Sequence, residues 1–271
     1  MELTQEVRYA RLLPHQFFAR RAECPVLYFP LGPLEWHGVH ISPGMDALNA
    51  EAVAEELARR TGGVVYPTLY MGSERYHTEE FVEKLRIDPV KYTNSLGMDF
   101  GSGEVVPSVY FTEDVFAIAL REHLRKLMEL DFKVILILSG HAAQPHMEII
   151  KRIADEFNRF NPQTTIIVRV AISAGKDDKG VGHANKLETA LLMHIAPDSV
   201  DISQLPAKPE KLRTADTAIA DPETFENKNP DNYVIHDPRD ADAEYGRKAF
   251  ERAVAEFGSL ITDALKAMIK K

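Results

Sequence analysis

Apolar positions along the chain follow two spacings that alternate. Short apolar runs such as Pro25–Leu31 and Lys133–Leu138 read as buried strands, and Thr164–Ala171 is a third, β-branched one. Val64-Val65-Tyr66 adds a shorter strand. Between them apolar residues recur at helical spacing. In Ala47–Arg60 they are Ala50, Val53, Ala54, Leu57 and Ala58, with Gly62-Gly63 as the stop. Thr112 is the expected N-cap of a helix to Leu130, with Val115, Ala119, Leu120, His123 and Leu127 on its inner side. Pro145 opens another helix that ends near Phe160. Leu187–Ile195 closes at Pro197, and Ala241–Ile269 is a long amphipathic helix. Strand alternating with helix predicts an α/β fold, a three-layer α/β/α sandwich with a mainly parallel sheet, over a single domain spanning 1–271. Two stretches resist the pattern. Residues 75–111, with Gly97, Gly101, Gly103 and Pro107, predict a lid or an oligomer contact. The polar region 201–240 reads as a surface excursion.

Composition narrows the function. The chain has 271 residues and a net charge of −9, with no Lys/Arg block, so the basic footprint of a nucleic-acid binder is missing. Cys24 is the only cysteine, which rules out an intramolecular disulfide and a cysteine-based zinc site. It reads as an inert buried thiol. No apolar run is long enough for a bilayer, and the first residues lack a signal-peptide pattern. A cytoplasmic protein without a membrane partner is expected.

The chemistry gathers at the carboxyl ends of the predicted strands, where open α/β sheets bind ligands. The turn after the first strand carries Glu35, His37, His40 and Asp46; the next loop holds His141; a third holds His183 and Glu188. Glu35 and His37 are two apart, so in extended chain both side chains face one side. Carboxylate with imidazole suits zinc or manganese. The inventory matches a pair of divalent ions, which in such sites lie roughly 3.5–4 Å apart and activate a water.

At these residues the chain resembles the creatininase family of metal-dependent amidohydrolases. Glu35-Trp-His-Gly-Val-His40 with Asp46 is similar to that family's opening motif, Glu-Gln-His-Gly-Pro-His followed by Asp. Ser139-Gly-His-Ala-Ala-Gln144 resembles its Asn-Gly-His-Gly-Gly-Asn motif. His183-Ala-Asn-Lys-Leu-Glu188-Thr189 resembles its third, and Asp237-Pro-Arg-Asp-Ala its closing segment. The likeness covers nearly the whole chain. It implies a creatininase-like fold, with Glu35 and His141 on one metal, His37 and Glu188 on the other, and Asp46 between them. It implies His183 as proton shuttle and a homo-oligomer, commonly a hexamer. The implied cofactors are two divalent ions per chain (zinc, manganese or iron). The implied reaction is hydrolysis of a small-molecule amide, cyclic amide or formamide by a metal-bound hydroxide.

This sequence departs from the pattern at several positions. Creatininases proper have a glutamate where this chain has Ala143, which turns the expected substrate away from creatinine. Ala142 and Ala143 replace two glycines of the formamide-cleaving branch, and Trp36 replaces a glutamine, where it would wall the pocket. Ser73 and Glu74 lie in a loop that could touch substrate. Residues 75–104 have no counterpart, so substrate choice is expected there. Lactone opening, peptide hydrolysis and non-catalytic binding are the alternatives. Asp46 also reads as a helix N-cap, and His40 as a group orienting a ligand. His77, His123, His146, His194 and His236 receive no role.

Overall fold

The structure, a computed structural model, describes residues 4–74, 106, 108–173, 182–209 and 237–269. Four strands form one parallel sheet: β1 (Val26–Leu31), β2 (Val64–Val65), β3 (Val134–Ser139) and β4 (Thr165–Val170), in the order β2-β1-β3-β4. Helices cover both faces. They are α1 (Pro14–Glu23), α2 (Met45–Thr61), α3 (Glu113–Leu127), α4 (Gln144–Phe160), α5 (Lys186–Ile195) and α6 (Ala243–Ile269).

β1 and β3 are buried along their whole length, the signature of a parallel sheet with both faces covered. Their side chains alternate between two cores. Tyr28, Leu136 and Leu138 pack with α2, α5 and α6, whereas Phe29, Leu31, Ile135 and Ile137 pack with α3 and α4. Each such side chain contributes about 1.5–3 kcal/mol relative to exposure. Pro30 sits in a central strand without breaking it. Its carbonyl faces the β2 side and accepts from Leu69 N (3.1 Å), and β2 has already ended at Val65, so the missing N–H robs no ladder partner.

The chain order places the crevice. From β1 the chain crosses by α2 to β2, on one side; β3 lies on the other side of β1 and sends its own helix, α4, to the opposite face. The loops leaving β1 and β3 therefore part at neighbouring strand ends, the topological switch point where α/β sheets open a cleft.

Three expectations need correction. α1 lay unrecognised in a stretch of mixed polarity, because it buries only Phe17 and Arg20. The inner face of α3 is Phe116, Leu120, Leu124 and Leu127, and Val115 is 48% exposed. Phe116 sets that phase by stacking on His146, with centroids 4.8 Å apart. Thr112 occupies the N-cap position of α3 but makes no side-chain cap bond, and the turn after Leu127 tightens before Asp131 ends it at φ 55°. The stretch 75–111, expected as a lid or an oligomer contact, lies largely outside the described residues, as does most of 201–240.

Candidate metal centre

The loop after β1 is fixed at both flanks. Leu34 bridges Val109, Trp36 N donates to Ser108 Oγ (2.8 Å), and Ile41 bridges Val200. Glu35 and His37 thereby enter a buried space, and Asp46 reaches the same space from the first turn of α2. Asp46 does not cap that helix: Gly44 holds the cap position, two residues earlier. His141 follows β3, and Glu188 stands on the first turn of α5, whose N-cap Asn185 accepts from Leu187 N and Glu188 N.

Ligand atoms converge in three sets, each within 4.8 Å: Glu35, Asp46 and His141; His37, Asp46 and Glu188; Glu35, His37 and His183. His141 Nδ1 lies 2.8 Å from Glu35 Oε2 and 3.3 Å from Asp46 Oδ2. His37 Nε2 lies 3.5 Å from Asp46 Oδ1 and 3.8 Å from Glu188 Oε2. Asp46 thus offers one oxygen to each histidine. His183 Nδ1 is 3.7 Å from Glu35 Oε1, and its ring is 4.4 Å from that of His37.

Hydrogen bonds decide which nitrogen each imidazole presents. His37 Nδ1 contacts the Glu35 carbonyl (3.0 Å), and a carbonyl only accepts, so Nδ1 carries the proton and Nε2 faces the carboxylates. His183 Nε2 likewise donates to the Trp36 carbonyl (2.8 Å), leaving the Nδ1 lone pair inside. His40 Nε2 bonds Thr189 Oγ1 (3.0 Å), tying the β1 loop to the turn that bears Glu188.

The electrostatics call for added positive charge. Burial pushes the Glu188 carboxyl up to about 8, against a partial offset from His37. Burial disfavours a charged His37, yet Asp46, Glu188 and Glu35 overcome it and raise it to about 10. His141 is raised well above its ordinary value in the same way, by Glu35 and Asp46 against burial. Glu35, although buried, is held well below the carboxylate range by His141, His183 and His37. Burial lowers His183, and takes His40, with help from His37, down to about 3. Protons on His37 and His141 here do what a cation would do. His37 Nε2 and Asp46 Oδ2 are buried without a hydrogen-bond partner among the described residues, and carboxylate–imidazole sets are a donor chemistry for divalent metals.

Three more groups lie nearby: His146 and Tyr110, which had no signal in the sequence, and Glu74, expected only in a loop that could touch substrate. His146, fully buried, accepts from Ser73 N (3.3 Å) at Nδ1 and donates through Nε2 to Ser139 Oγ (2.9 Å). The Ser139 hydroxyl then donates to the His141 carbonyl (2.7 Å). Glu74 Oε2 is 3.9 Å from His141 Nε2. The phenol of Tyr110 is pushed well above its usual range by burial and by Glu35 and Glu74, and its ring centroid is 5.9 Å from that of His141. Of the expected substrate contacts, Trp36 Nε1 and Ser73 Oγ are buried with no hydrogen-bond partner among the described residues.

Solved creatininase structures share the fold. A crystal structure of creatinine amidohydrolase (creatininase) superposes with a TM-score of 0.66 at 20% identity, covering 96% of this chain and 98% of that one. A creatininase mutant described as Zn-Zn type gives 0.65 at 19% identity over 96% and 98%. A structure described as Creatininase Mn gives 0.63 at 20% over 95% and 98%. Comparison with curated proteins gives no significant sequence match. The Creatininase family model, described as creatinine amidohydrolase, matches residues 11–261, and the chain belongs to that family.

Proposed function

We propose that the protein hydrolyses a small non-peptide amide, cyclic amide or formamide at a centre holding two divalent cations. The observation that carries this reading is the pair of donor sets joined through Asp46. Glu35 and His141 would hold one ion, His37 and Glu188 the other, with Asp46 between them. Cations bound there would supply a water ionised near neutral pH and Lewis acidity toward a carbonyl. The zinc and manganese descriptions of related structures support either metal, and iron suits the same donors.

The chain's own groups do the rest. His183, neutral and oriented by the Trp36 carbonyl, turns its Nδ1 lone pair inward, where it would take a proton and pass it to the departing nitrogen. Trp36 and Ser73 would face the substrate, with one indole N–H and one hydroxyl to offer it. Ala143, at the N-cap position of α4, leaves that side of the cleft without the glutamate of creatininases proper, which supports a substrate other than creatinine. A homo-oligomer fits the exposed apolar residues Val109, Val115 and Ile118, and light scattering on the purified protein reads it directly. No described helix is long and apolar enough to cross a membrane, and the lone cysteine fits a cytoplasmic setting.

The test is metal analysis of protein purified without chelator, followed by a screen of formamides, lactams, lactones and short peptides. Two ions per chain and turnover of an amide are expected. Turnover of lactones or peptides alone, or none with the ions in place, would overturn the amidase reading.

A further inference from the structure

Glu74 is a buried carboxylate that belongs to none of the donor sets. Keeping such a group away from water is expensive unless a neighbour compensates it. His141 is one such neighbour. The Nδ1 edge of that ring meets Glu35 and Asp46, and the opposite edge, Nε2, lies 3.9 Å from Glu74 Oε2. An imidazole that binds a cation through Nδ1 must carry its proton on Nε2, and a buried N–H needs an acceptor.

From this juxtaposition we propose that Glu74 is the positioning residue of His141, a carboxylate that closes the remaining gap when the centre is loaded, accepts the Nε2–H and fixes the ring for metal binding through Nδ1. The inference rests on the two-cation reading above. The frame that holds the pair is visible. Ser73 N is bonded to His146, His146 to Ser139, and Ser139 to the carbonyl of His141, so the segment before Glu74 and the segment bearing His141 are locked through one ring. That ring is itself wedged between Phe116, stacked at 4.8 Å, and His141, edge-on at 5.0 Å.

Charge counts the same way. Glu35, Asp46 and Glu188 would leave one positive charge on two divalent ions, and before a bound water ionises Glu74 would balance it from outside the donor sets. A carboxylate behind a ligating histidine also raises the basicity of the ring, and losing such a partner typically lowers metal affinity by about 10–100-fold.

The experiment titrates Zn²⁺ alone, in competition with a chromophoric chelator, into wild type, Glu74→Ala and Glu74→Gln. Circular dichroism checks the fold, and the near-isosteric glutamine variant decides the matter if the alanine variant does not fold. Wild type should take up two ions. Glu74→Ala should bind one of them about 10–100-fold more weakly, and Glu74→Gln, a neutral acceptor, should fall between. Both variants binding both ions like wild type would overturn the proposal, as would a rise in KM with unchanged metal affinity, which would make Glu74 a substrate contact. A wild type that takes up no Zn²⁺ would overturn the two-cation reading as well, so the two failures are told apart.

Discussion

Gly140 is the most informative position to perturb, because it controls the centre without touching a ligand atom. A Cβ at Gly140 would lie 1.9 Å from the carbonyl oxygen of Asp46, 2.3 Å from its carbonyl carbon and 2.6 Å from its Cα. To reach the 3.0 Å that Cβ contacts respect, the Asp46 backbone must retreat by about 1.1 Å. It has little room to do so sideways, since a Cβ at Gly32 would already stand 2.7 Å from Asp46 Cβ. The ends of β1 and β3 thus approach the first turn of α2 through two residues without side chains. Metal–ligand distances tolerate about 0.2 Å, so the forced shift is roughly five times what coordination allows. Overpacking of this kind costs about 1–3 kcal/mol. At roughly 2–4 °C per kcal/mol, Gly140→Ala should melt about 2–12 °C below wild type with the metals chelated. Because Asp46 belongs to two of the donor sets, both ions should weaken together. Calorimetry with chelator and Zn²⁺ competition without it read the two effects, and Ala142→Ser, at an exposed position one turn residue beyond His141, is the control. Wild-type affinity for both ions in Gly140→Ala would refute the reasoning.

Asp46→Asn should weaken both ions while Glu188→Gln weakens chiefly one, read as metal content after gel filtration; equal losses from the two would sever the bridging role from Asp46. His183→Gln should keep both ions and lose about 10²–10⁴ in kcat, the range for a proton-transferring side chain. Loss of metal in that variant would instead make His183 a ligand. In chelated protein, Glu188 at about 8 and His37 at about 10 are both raised above their unfolded values of 4.5 and 6.5, the first against its charged form by burial, the second by carboxylates that outweigh burial. A raised group stabilises the fold below its unfolded pKa and loses that contribution as pH climbs through the folded one. The lowered histidines His40, His146 and His183 act in the opposite sense only up to their unfolded value of 6.5, so chelated protein should melt progressively lower between about pH 7 and 10, and the gain on adding Zn²⁺ should widen over the same window as these protons are displaced. Melting curves with and without chelator check this, and a flat or rising profile for chelated protein over that window would contradict it.

Much of the centre was legible because its chemistry is local. Glu35 and His37 share one turn, His141 follows the strongest apolar run, and Glu188 follows His183 by five positions, so residue type and strand end together pointed to one cleft. What stayed hidden is what the tertiary fold assembles. His146 looks like any inner helical histidine until Ser73 and Ser139 are seen on its two nitrogens. Tyr110 belongs to an irregular segment, and only the Leu34–Val109 bridge brings it to Glu35. Asp46 misled in a smaller way: an acid just before an apolar run reads as a cap, but the helix begins earlier, at Met45, and the acid lies inside its first turn. The face of α3 was misjudged by one position because Val115 and Phe116 are both apolar, and ring stacking rather than periodicity chose between them.

The three inward imidazoles differ in a way that separates holding a cation from moving a proton. Two have one nitrogen committed outward by a hydrogen bond, His37 Nδ1 to the Glu35 carbonyl and His183 Nε2 to the Trp36 carbonyl, and in the third His141 Nε2 points toward Glu74 at 3.9 Å. The uncommitted nitrogen of His37 faces two carboxylates, from Asp46 and Glu188, and that of His141 faces two, from Glu35 and Asp46. That of His183 faces, among the described residues, one carboxylate, Glu35, at 3.7 Å. A lone pair between two carboxylates completes a three-donor cage, and the field there holds a positive charge on the ring when no cation supplies it. A lone pair beside one carboxylate, on a ring that burial keeps neutral, is free to accept a proton and release it. On the two-cation reading the same residue type would do two jobs in one cleft, and the number of acids around the inward nitrogen would assign them.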